Sequence, residues 1–534
     1  MSPDAGCSGS LPRVSVGSLA RDVRRPVGGA ADARARALEN PAVAAVVALT
    51  VLAAVLRFYR LGHQGFWFDE ANTAADVHLS PGAMLGLLPR NETTPPLFYC
   101  IAWVWARVFG FGEVGLRSLP ALAGVATVPL AYALGIKLIS RRAGVTAAAL
   151  TACNPFLIWY SQEFRPYELL VLLSGASLLA FLYAKDDPTP GRLAAWVIVA
   201  GLALAAHYYA LLVVVPEALW LIAVHRRRRS VMIAFAIVGL CGLALLPLAV
   251  SQNHTGNASW IAPIPLGPRL DQIFPQFLIG FQAPAQEVLE RVADVIVIIA
   301  LVLLAVRSDR LERRGALTAG AFVASGLAIN LVLVAVGIDD LITRNVLALW
   351  LPAALLVAGG LGARRAGLVG ILATVVLCVI GIVATVGVAL DRNFQRPDWR
   401  AVASVLGDRP APGVGARMIL VQHYRDLLPL SLYVHGLGKF DRGTEAARVS
   451  EFDVVSIRAP RVALCWWGAA CNLTGSTMQR TYAIPGFHVL WRRRALQFTI
   501  MRLVSPTPVL VTRRTVSRAL TTTTLRRDEL LVQR

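Results

Sequence analysis

"PLFYCIAWVWARVF", residues 96–109, is apolar enough to enter a membrane and too short to cross one. A helix rises 1.5 Å per residue, so about 20 residues are needed to traverse the hydrocarbon core. This run has fourteen, and Arg107 and Glu113 crowd its end. Apolar runs nearer spanning length lie at about 41–60, 118–138, 143–160, 168–184, 193–206, 208–224, 231–250, 289–306, 315–336, 343–363 and 366–390. If 96–109 also crossed, the Lys and Arg clusters after it would alternate to the wrong side of the positive-inside rule. Laid along the outer surface as a juxtamembrane helix, its Trp, Phe and Tyr residues sit at headgroup level and every other gap falls into place. Lys137, Arg141 and Arg142, then Lys185 and Arg192, Arg226–Arg229, Arg307, Arg310, Arg313 and Arg314, and Arg364 and Arg365 put fifteen positive residues on the cytoplasmic side. The outer gaps hold isolated ones, of which Arg165, Arg269 and Arg344 are the clearest. The pattern predicts about eleven transmembrane helices plus the juxtamembrane helix, a cytoplasmic N-terminus, and an extracytoplasmic segment after the last span.

Composition agrees with this layout. The chain of 534 residues is 56% hydrophobic and 16% charged with a mean hydropathy of +0.60, against about 25% charged residues in soluble domains. The net charge of +20 sits in the short clusters between spans, so it reads as topology and excludes nucleic acid as a partner. Residues 1–40 hold six Arg and no apolar run, which reads as a disordered cytoplasmic arm before an uncleaved anchor. Residues 41–390 form an all-α polytopic membrane domain. Residues 391–500 read as a small extracytoplasmic α/β domain, with strands over "ARMILVQHY", "EFDVVSIRA" and "GFHVLWRRRA" and helices over "RPDWRAVASVL" and "RDLLPLSLYVHGL". Residues 501–534 show no periodic core pattern and are expected to be a disordered tail. Cys465 and Cys471 are expected either to pair as a disulfide outside the cytoplasm or to remain buried thiols.

The chemistry gathers on the outer loops. "GFWFDEANTA", residues 65–74, sets Asp69 and Glu70 beside Phe66, Trp67 and Phe68 in the first outer loop. Aromatic anchors at the interface partly desolvate such a pair and raise its basicity, which suits a general base acting on an acceptor hydroxyl. "NETTPPLFY", residues 91–99, follows, with Pro95 and Pro96 fixing the chain before the juxtamembrane helix. The second outer loop, "WYSQEFRPYELL", residues 159–170, packs Glu163, Arg165, Tyr167 and Glu168 between spans, and "GIDDLITRNVLALWLP", residues 337–352, brings Arg344 to the start of another. Guanidinium matches phosphate bidentately, so Arg165 and Arg344 are candidates for holding a lipid-linked phosphate as it leaves. His207 and Tyr208 add a further rim group. His423 and His435 have no defensible partner spacing. The sequence contains neither zinc-ligand spacing nor a nucleotide-binding glycine loop, so an activated donor is reached from the membrane; a divalent cation remains open as a cofactor.

Taken in order, "FDEANTA", "TPPLFYCIAWVWARVFG", "GLRSLPALAGVATVPLAYALGIKLISRRAGVTAAALTACNPFLIWYSQEFRPYEL", "ITRNVLALWLPAALLVAGGL" and "RPDWRAVASVL" resemble the GT-C glycosyltransferases of family 39, the branch of protein-O-mannosyltransferases and aminoarabinose transferases. The resemblance covers roughly residues 45–410. It implies a GT-C membrane domain that moves a sugar, with mannose first among candidates, from a polyprenyl-phosphate carrier to an envelope glycan, lipid or protein outside the cytoplasmic membrane. It implies Asp69 as catalytic base with Glu70 as its neighbour, Arg165 and Arg344 as binders of the phosphate, and Glu163, Tyr167, His207 and Tyr208 as lining. Thr93 and Thr94 stand where aminoarabinose transferases carry a basic residue before the Pro-Pro pair, which disfavours that sugar. The rival reading is a transporter or flippase for a lipid-linked or anionic solute, which calls for acids near the midplane and broken helices in paired halves. A catalytically dead scaffold is the third.

Overall fold

In the computed structural model, a helix break at Asn154-Pro155 decides how the membrane helices present the site. The sequence suggests one span over 143–160, yet two helices form, Arg141–Cys153 and Pro155–Ser161. Pro155 lacks the amide a continuing helix needs and biases Asn154 away from helical dihedrals. Asn154 takes an extended conformation and caps the second helix, its side chain accepting from the Leu157 amide at 3.0 Å. The short helix ends directly before Glu163 and Arg165.

The structure describes residues 41–413, 415–422, 427–440, 445–457, 478–521, 525 and 528–534. Cys465, Cys471 and His423 lie outside them. Eight of the described helical segments are long and apolar enough to cross a membrane: Pro41–Phe58, Glu113–Leu138, Tyr167–Asp186, Tyr208–His225, Arg229–His254, Arg310–Ala335, Thr343–Leu361 and Gly367–Leu390. The other three expected spans are the broken pair above, the shorter Pro190–Ala206, and Gln286–Val306, whose first turns carry Glu287, Glu290, Arg291 and Asp294. The expected juxtamembrane helix is Leu97–Phe109. Thr343–Leu361 is the most enclosed span, 72% buried, whereas Arg229–His254 is 17% buried and shows Ile233, Ile237, Leu240, Leu243 and Leu246 at the surface. Such a continuous apolar face is what lipid contact requires.

The two ends of the bundle are distinguishable by their contacts. At one end Lys137 pairs with Asp186 at 2.6 Å, His225 bonds the Lys185 carbonyl, Arg142 bonds the Arg364 carbonyl, and Glu312 accepts from the Arg364 amide. The basic gaps expected to be cytoplasmic therefore share that end. The acids and arginines of the first, second and later outer loops meet at the other.

After the last span, a six-stranded sheet forms in the order β2-β6-β1-β3-β5-β4. Its strands are β1 (Arg417–Gln422), β2 (Leu437–Lys439), β3 (Ala446–Ile457), β4 (His488–Ala495), β5 (Phe498–Thr512) and β6 (Glu529–Gln533). β1 and β3 are parallel and the other pairings antiparallel. One face packs on Trp399, Val402 and Leu406 of the helix Trp399–Leu406; the other covers Phe452, Leu503, Tyr482 and Val516. This corrects the expected tail over 501–534, which supplies most of β5, the helix Arg513–Ala519 and β6. β6 lies between two strands with Leu530, Leu531 and Val532 all buried, so it reads as an apolar run without alternation. The sheet unit is fastened to the membrane domain by Tyr433, whose hydroxyl accepts from the Phe66 amide and bonds Glu113, and Gln497 donates to the Arg392 and Arg396 carbonyls of the segment that follows the last span.

Candidate active site

Asp69 and Glu70 occupy the first turn of the helix Phe68–His78, which forms within the segment expected to be a loop. Consecutive helical residues point about 100° apart, so the two carboxylates face different surroundings. Glu70 turns inward and is fully buried; its oxygens accept from Arg117 Nε at 2.7 Å and Nη2 at 2.6 Å, and from the Phe164 amide at 2.9 Å. Burial alone would raise its pKa, but the Arg117 charge and hydrogen bonds outweigh this and hold it below the usual carboxylate range. Arg117 also donates to the carbonyls of Leu61, Gln64 and Gly65. The pair shapes the loop, and the expectation of Glu70 beside the reacting atoms gives way to a structural placement.

Asp69 turns the other way. Its Oδ2 accepts from Arg344 Nη1 at 2.9 Å, and the two side chains keep 21% and 18% of their surface exposed. Arg344 lies within 5.8 Å of the Tyr167 ring and 5.7 Å of the Trp260 ring, and its buried Nε has no hydrogen-bond partner. Of the ion pairs made by the candidate site residues Asp69, Glu70, Glu163, Arg165 and Arg344, this one alone keeps both its carboxylate and its guanidinium more than a tenth exposed.

Arg165 is placed otherwise than expected. It is buried, donating to both Glu92 oxygens at 3.0 Å and to Thr73 Oγ1 at 2.8 Å, and so ties the second loop to the Phe68–His78 helix. Asp76 is nearby; burial and the Glu92 charge, against Arg165, push its carboxyl up to about 7. Glu92 takes up Arg165 Nη1, the end that also reaches Thr73. Glu163 is buried and accepts from Arg396 Nη2 at 2.8 Å through one oxygen, the other having no partner. Burial raises its pKa to about 7 against the pull of Arg396, with Glu70 and Asp69 adding to the rise. His207, buried next to Tyr167, has its pKa lowered to about 3 by burial and then by Arg165 and Arg344, so its imidazole is neutral. Its Nδ1 accepts from the Tyr209 amide, which puts the proton on Nε2. Tyr208 does not join this group: it donates to Gln252, which in turn donates to the Leu88 and Thr94 carbonyls and so braces the Pro-Pro segment.

Sequence reasoning missed Arg117, Glu92, Arg396 and Gln252. Arg117 and Arg396 were visible as charges at the edges of spans, positions where an unpaired charge is costly, but nothing in the order of residues names their partners. Among the described residues no three His, Cys, Asp or Glu side chains group to hold a metal ion.

The comparisons with known proteins bear on this arrangement. Residues 93–251 match the family model described as dolichyl-phosphate-mannose-protein mannosyltransferase. The crystal structure of ArnT from Cupriavidus metallidurans in the apo state is similar over 87% of this chain and 98% of its own, with a TM-score of 0.53 and 12% identity. The same protein bound to undecaprenyl phosphate covers 86% and 97%, with a TM-score of 0.50 and 14% identity. The chain has the GT-C glycosyltransferase fold. An uncharacterized protein of Aquifex aeolicus (strain VF5) is 34% identical over 110 residues, 20% of this chain and 21% of that one. The match thus spans about a fifth of that relative's length. Within the GT-C fold, the Asp69–Arg344 pair stands at the end of the bundle capped by the sheet unit.

Proposed function

We propose that this multi-pass membrane protein is a glycosyltransferase that moves a sugar from a polyprenyl-phosphate carrier to a hydroxyl on an acceptor at the outer face of the cytoplasmic membrane. The observation that carries the reading is the Asp69–Arg344 ion pair, about a fifth exposed, on a GT-C scaffold. Mannose is the sugar favoured by the family model over residues 93–251.

In the reaction, Asp69 takes the acceptor's hydroxyl proton while the acceptor oxygen bonds the anomeric carbon. The bond from that carbon to the phosphate oxygen breaks, and its electron pair leaves with the phosphate. Arg344 neutralises the departing charge. In the free protein Arg344 is engaged with Asp69; an incoming phosphate competes for the guanidinium and frees the carboxylate to meet the acceptor hydroxyl. Glu70–Arg117 and the Arg165–Thr73 hydrogen bond hold the helix bearing Asp69 in place. Catalysis rests on position and fixed charge.

The test is transfer of radiolabelled mannose from polyprenyl-phosphate-mannose by membranes containing wild type or Asp69→Asn at matched expression. Incorporation by the wild type and its loss in the variant supports the reading. Equal incorporation by both removes Asp69 from the mechanism. No incorporation by either directs the test to other polyprenyl-phosphate sugars.

A further inference from the structure

At the basic end of the bundle an open groove with about 390 Å³ of room runs between the spans Tyr208–His225 and Arg310–Ala335. One wall is a single helix face. Arg310, Arg313, Arg314, Leu317, Thr318 and Ala321 line it, at the intervals of three and four residues that set side chains above one another. At 1.5 Å per residue this stripe is about 16 Å long. Its arginines occupy the terminal turn, and its apolar residues lie deeper in the span. The other wall is Trp220. That ring stacks on Phe322 at 5.8 Å between centroids and 19° between planes, which fixes it in place.

Two of the three charges are uncommitted. Arg313 donates to the Ala305 carbonyl through Nη2 and braces the turn before its helix. Arg310 and Arg314 are exposed, and neither side chain has a hydrogen bond or an ion pair among the described residues. The carboxylates nearby are engaged elsewhere: Asp309 caps the helix by accepting from the Leu311 and Glu312 amides, and buried Glu312 accepts from the Asp309 and Arg364 amides. The lining itself contains no acid. Beside the groove the flanks of both spans face lipid, with Leu219, Val224 and Leu317 each more than half exposed.

We propose that this groove binds one anionic glycerophospholipid from the leaflet around the basic end. Its phosphate lies on Arg310 and Arg314, and an acyl chain runs along Leu317 and Ala321 against Trp220. Guanidinium meets phosphate oxygens through paired hydrogen bonds, and basic pockets between spans are where anionic headgroups are held. The apolar half decides between a lipid and a soluble anion. Water or free phosphate would satisfy the arginines and leave the Leu317–Ala321 strip and the indole uncovered. A phospholipid covers both, with its charge at the end of the spans where headgroups lie. The groove is at the opposite end of the bundle from Asp69, so its ligand is neither the donor nor the acceptor of glycosyl transfer.

The experiment uses the full-length protein purified in detergent and native mass spectrometry, with phosphatidylglycerol and phosphatidylcholine of identical chains as probes. The wild type is expected to retain one phosphatidylglycerol and to prefer it over phosphatidylcholine by about tenfold. Arg310→Gln combined with Arg314→Gln is expected to reduce that retention about tenfold or more, and Ala321→Phe, which fills the apolar half, to reduce it as well. Arg227→Gln combined with Arg228→Gln removes the same charge at the same end but outside the groove, and should leave retention unchanged. Equal loss in the two double variants would mean diffuse attraction to the basic end and overturn the proposal, as would equal retention of the two lipids. Displacement of the lipid by equal concentrations of glycerol 3-phosphate or of a polyglutamate peptide would assign the groove to a soluble anion and overturn it too. Arg310, Arg314 and Ala321 are all exposed, so each variant is expected to melt as the wild type does without added lipid; if the double variant melts lower, Ala321→Phe alone carries the test.

Discussion

The two ends of the helix bundle hold arginine in opposite states. At the basic end Arg226, Arg227, Arg228, Arg310, Arg313 and Arg314 are exposed. At the other end Arg57, Arg117, Arg165, Arg269 and Arg396 are each 5% exposed or less. Exposed charges cost little and contribute little to stability, so the first set is free to serve orientation relative to the membrane. Buried ones are costly unless paired and hydrogen-bonded, and the second set bonds carboxylates and carbonyls, with only Nε of Arg165, Arg269 and Arg396 left without a partner among the described residues. Arg57 shows how far this goes: it bonds Ser161 and the carbonyls of Thr151 and Ala152, and Gly124 leaves the room, since a Cβ there would lie 2.7 Å from Arg57 Nε. Arg344 belongs to neither set. It is paired yet accessible, and that intermediate state is what a residue exchanging partners during a reaction needs.

The most severe way to break this contrast is at the accessible pair. Asp69→Asn is expected to lower transfer by about 10²–10⁴-fold, the usual worth of a general base, with thermal stability in detergent little changed because the pair is part-exposed. Next comes a buried pair: Glu70→Ala strands Arg117 and is expected to cost about 3–5 kcal/mol in stability, read as a large drop in melting temperature. Replacing both partners with apolar residues should recover part of that loss.

Glu163 sharpens the comparison through pH. Its carboxyl ionises near 4.5 when unfolded and at about 7 in the folded protein. Between those values the native state holds the extra proton, so stability falls as pH rises from about 4.5 to about 7. Glu163→Gln is expected to flatten melting temperature against pH across that window, and an unchanged slope would assign the effect elsewhere. Tyr208→Phe removes one hydrogen bond to Gln252 and is expected to cost about 0.5–1.5 kcal/mol, seen as a small fall in melting temperature. The smallest effect is at the basic end: Arg228→Cys should leave transfer unchanged, while its thiol should react with a membrane-impermeant maleimide only after the cells are permeabilised.

The sequence made the spans legible because hydropathy over 20 residues reports lipid contact directly, and the charge clusters alternate cleanly once Leu97–Phe109 is taken off the crossing list. It located Asp69, Glu163, Arg165 and Arg344 at one end for the same reason. What it could not supply was pairing. Asp69 and Glu70 are adjacent in sequence, and only the helix beginning at Phe68 sends one to Arg344 and the other to Arg117, 275 and 47 residues away. Arg165 has the chemistry of a phosphate ligand, and only the fold sets Glu92 against its Nη1. The 529–533 strand escaped notice because a segment buried on both faces lacks the alternation by which strands are recognised.

That strand has a consequence for how the protein is made. β1 emerges more than a hundred residues before β6, the neighbour that separates it from β2. A ribosome delivers those residues at about 5–20 per second, so β1 must wait seconds with one edge unpaired while the helices of the bundle are already in place. The sheet is therefore a late-closing unit whose completion depends on long-range contact, a slow class of folding step. Completion of the sheet that Tyr433 fastens to Phe66 is timed by the arrival of residues 529–533.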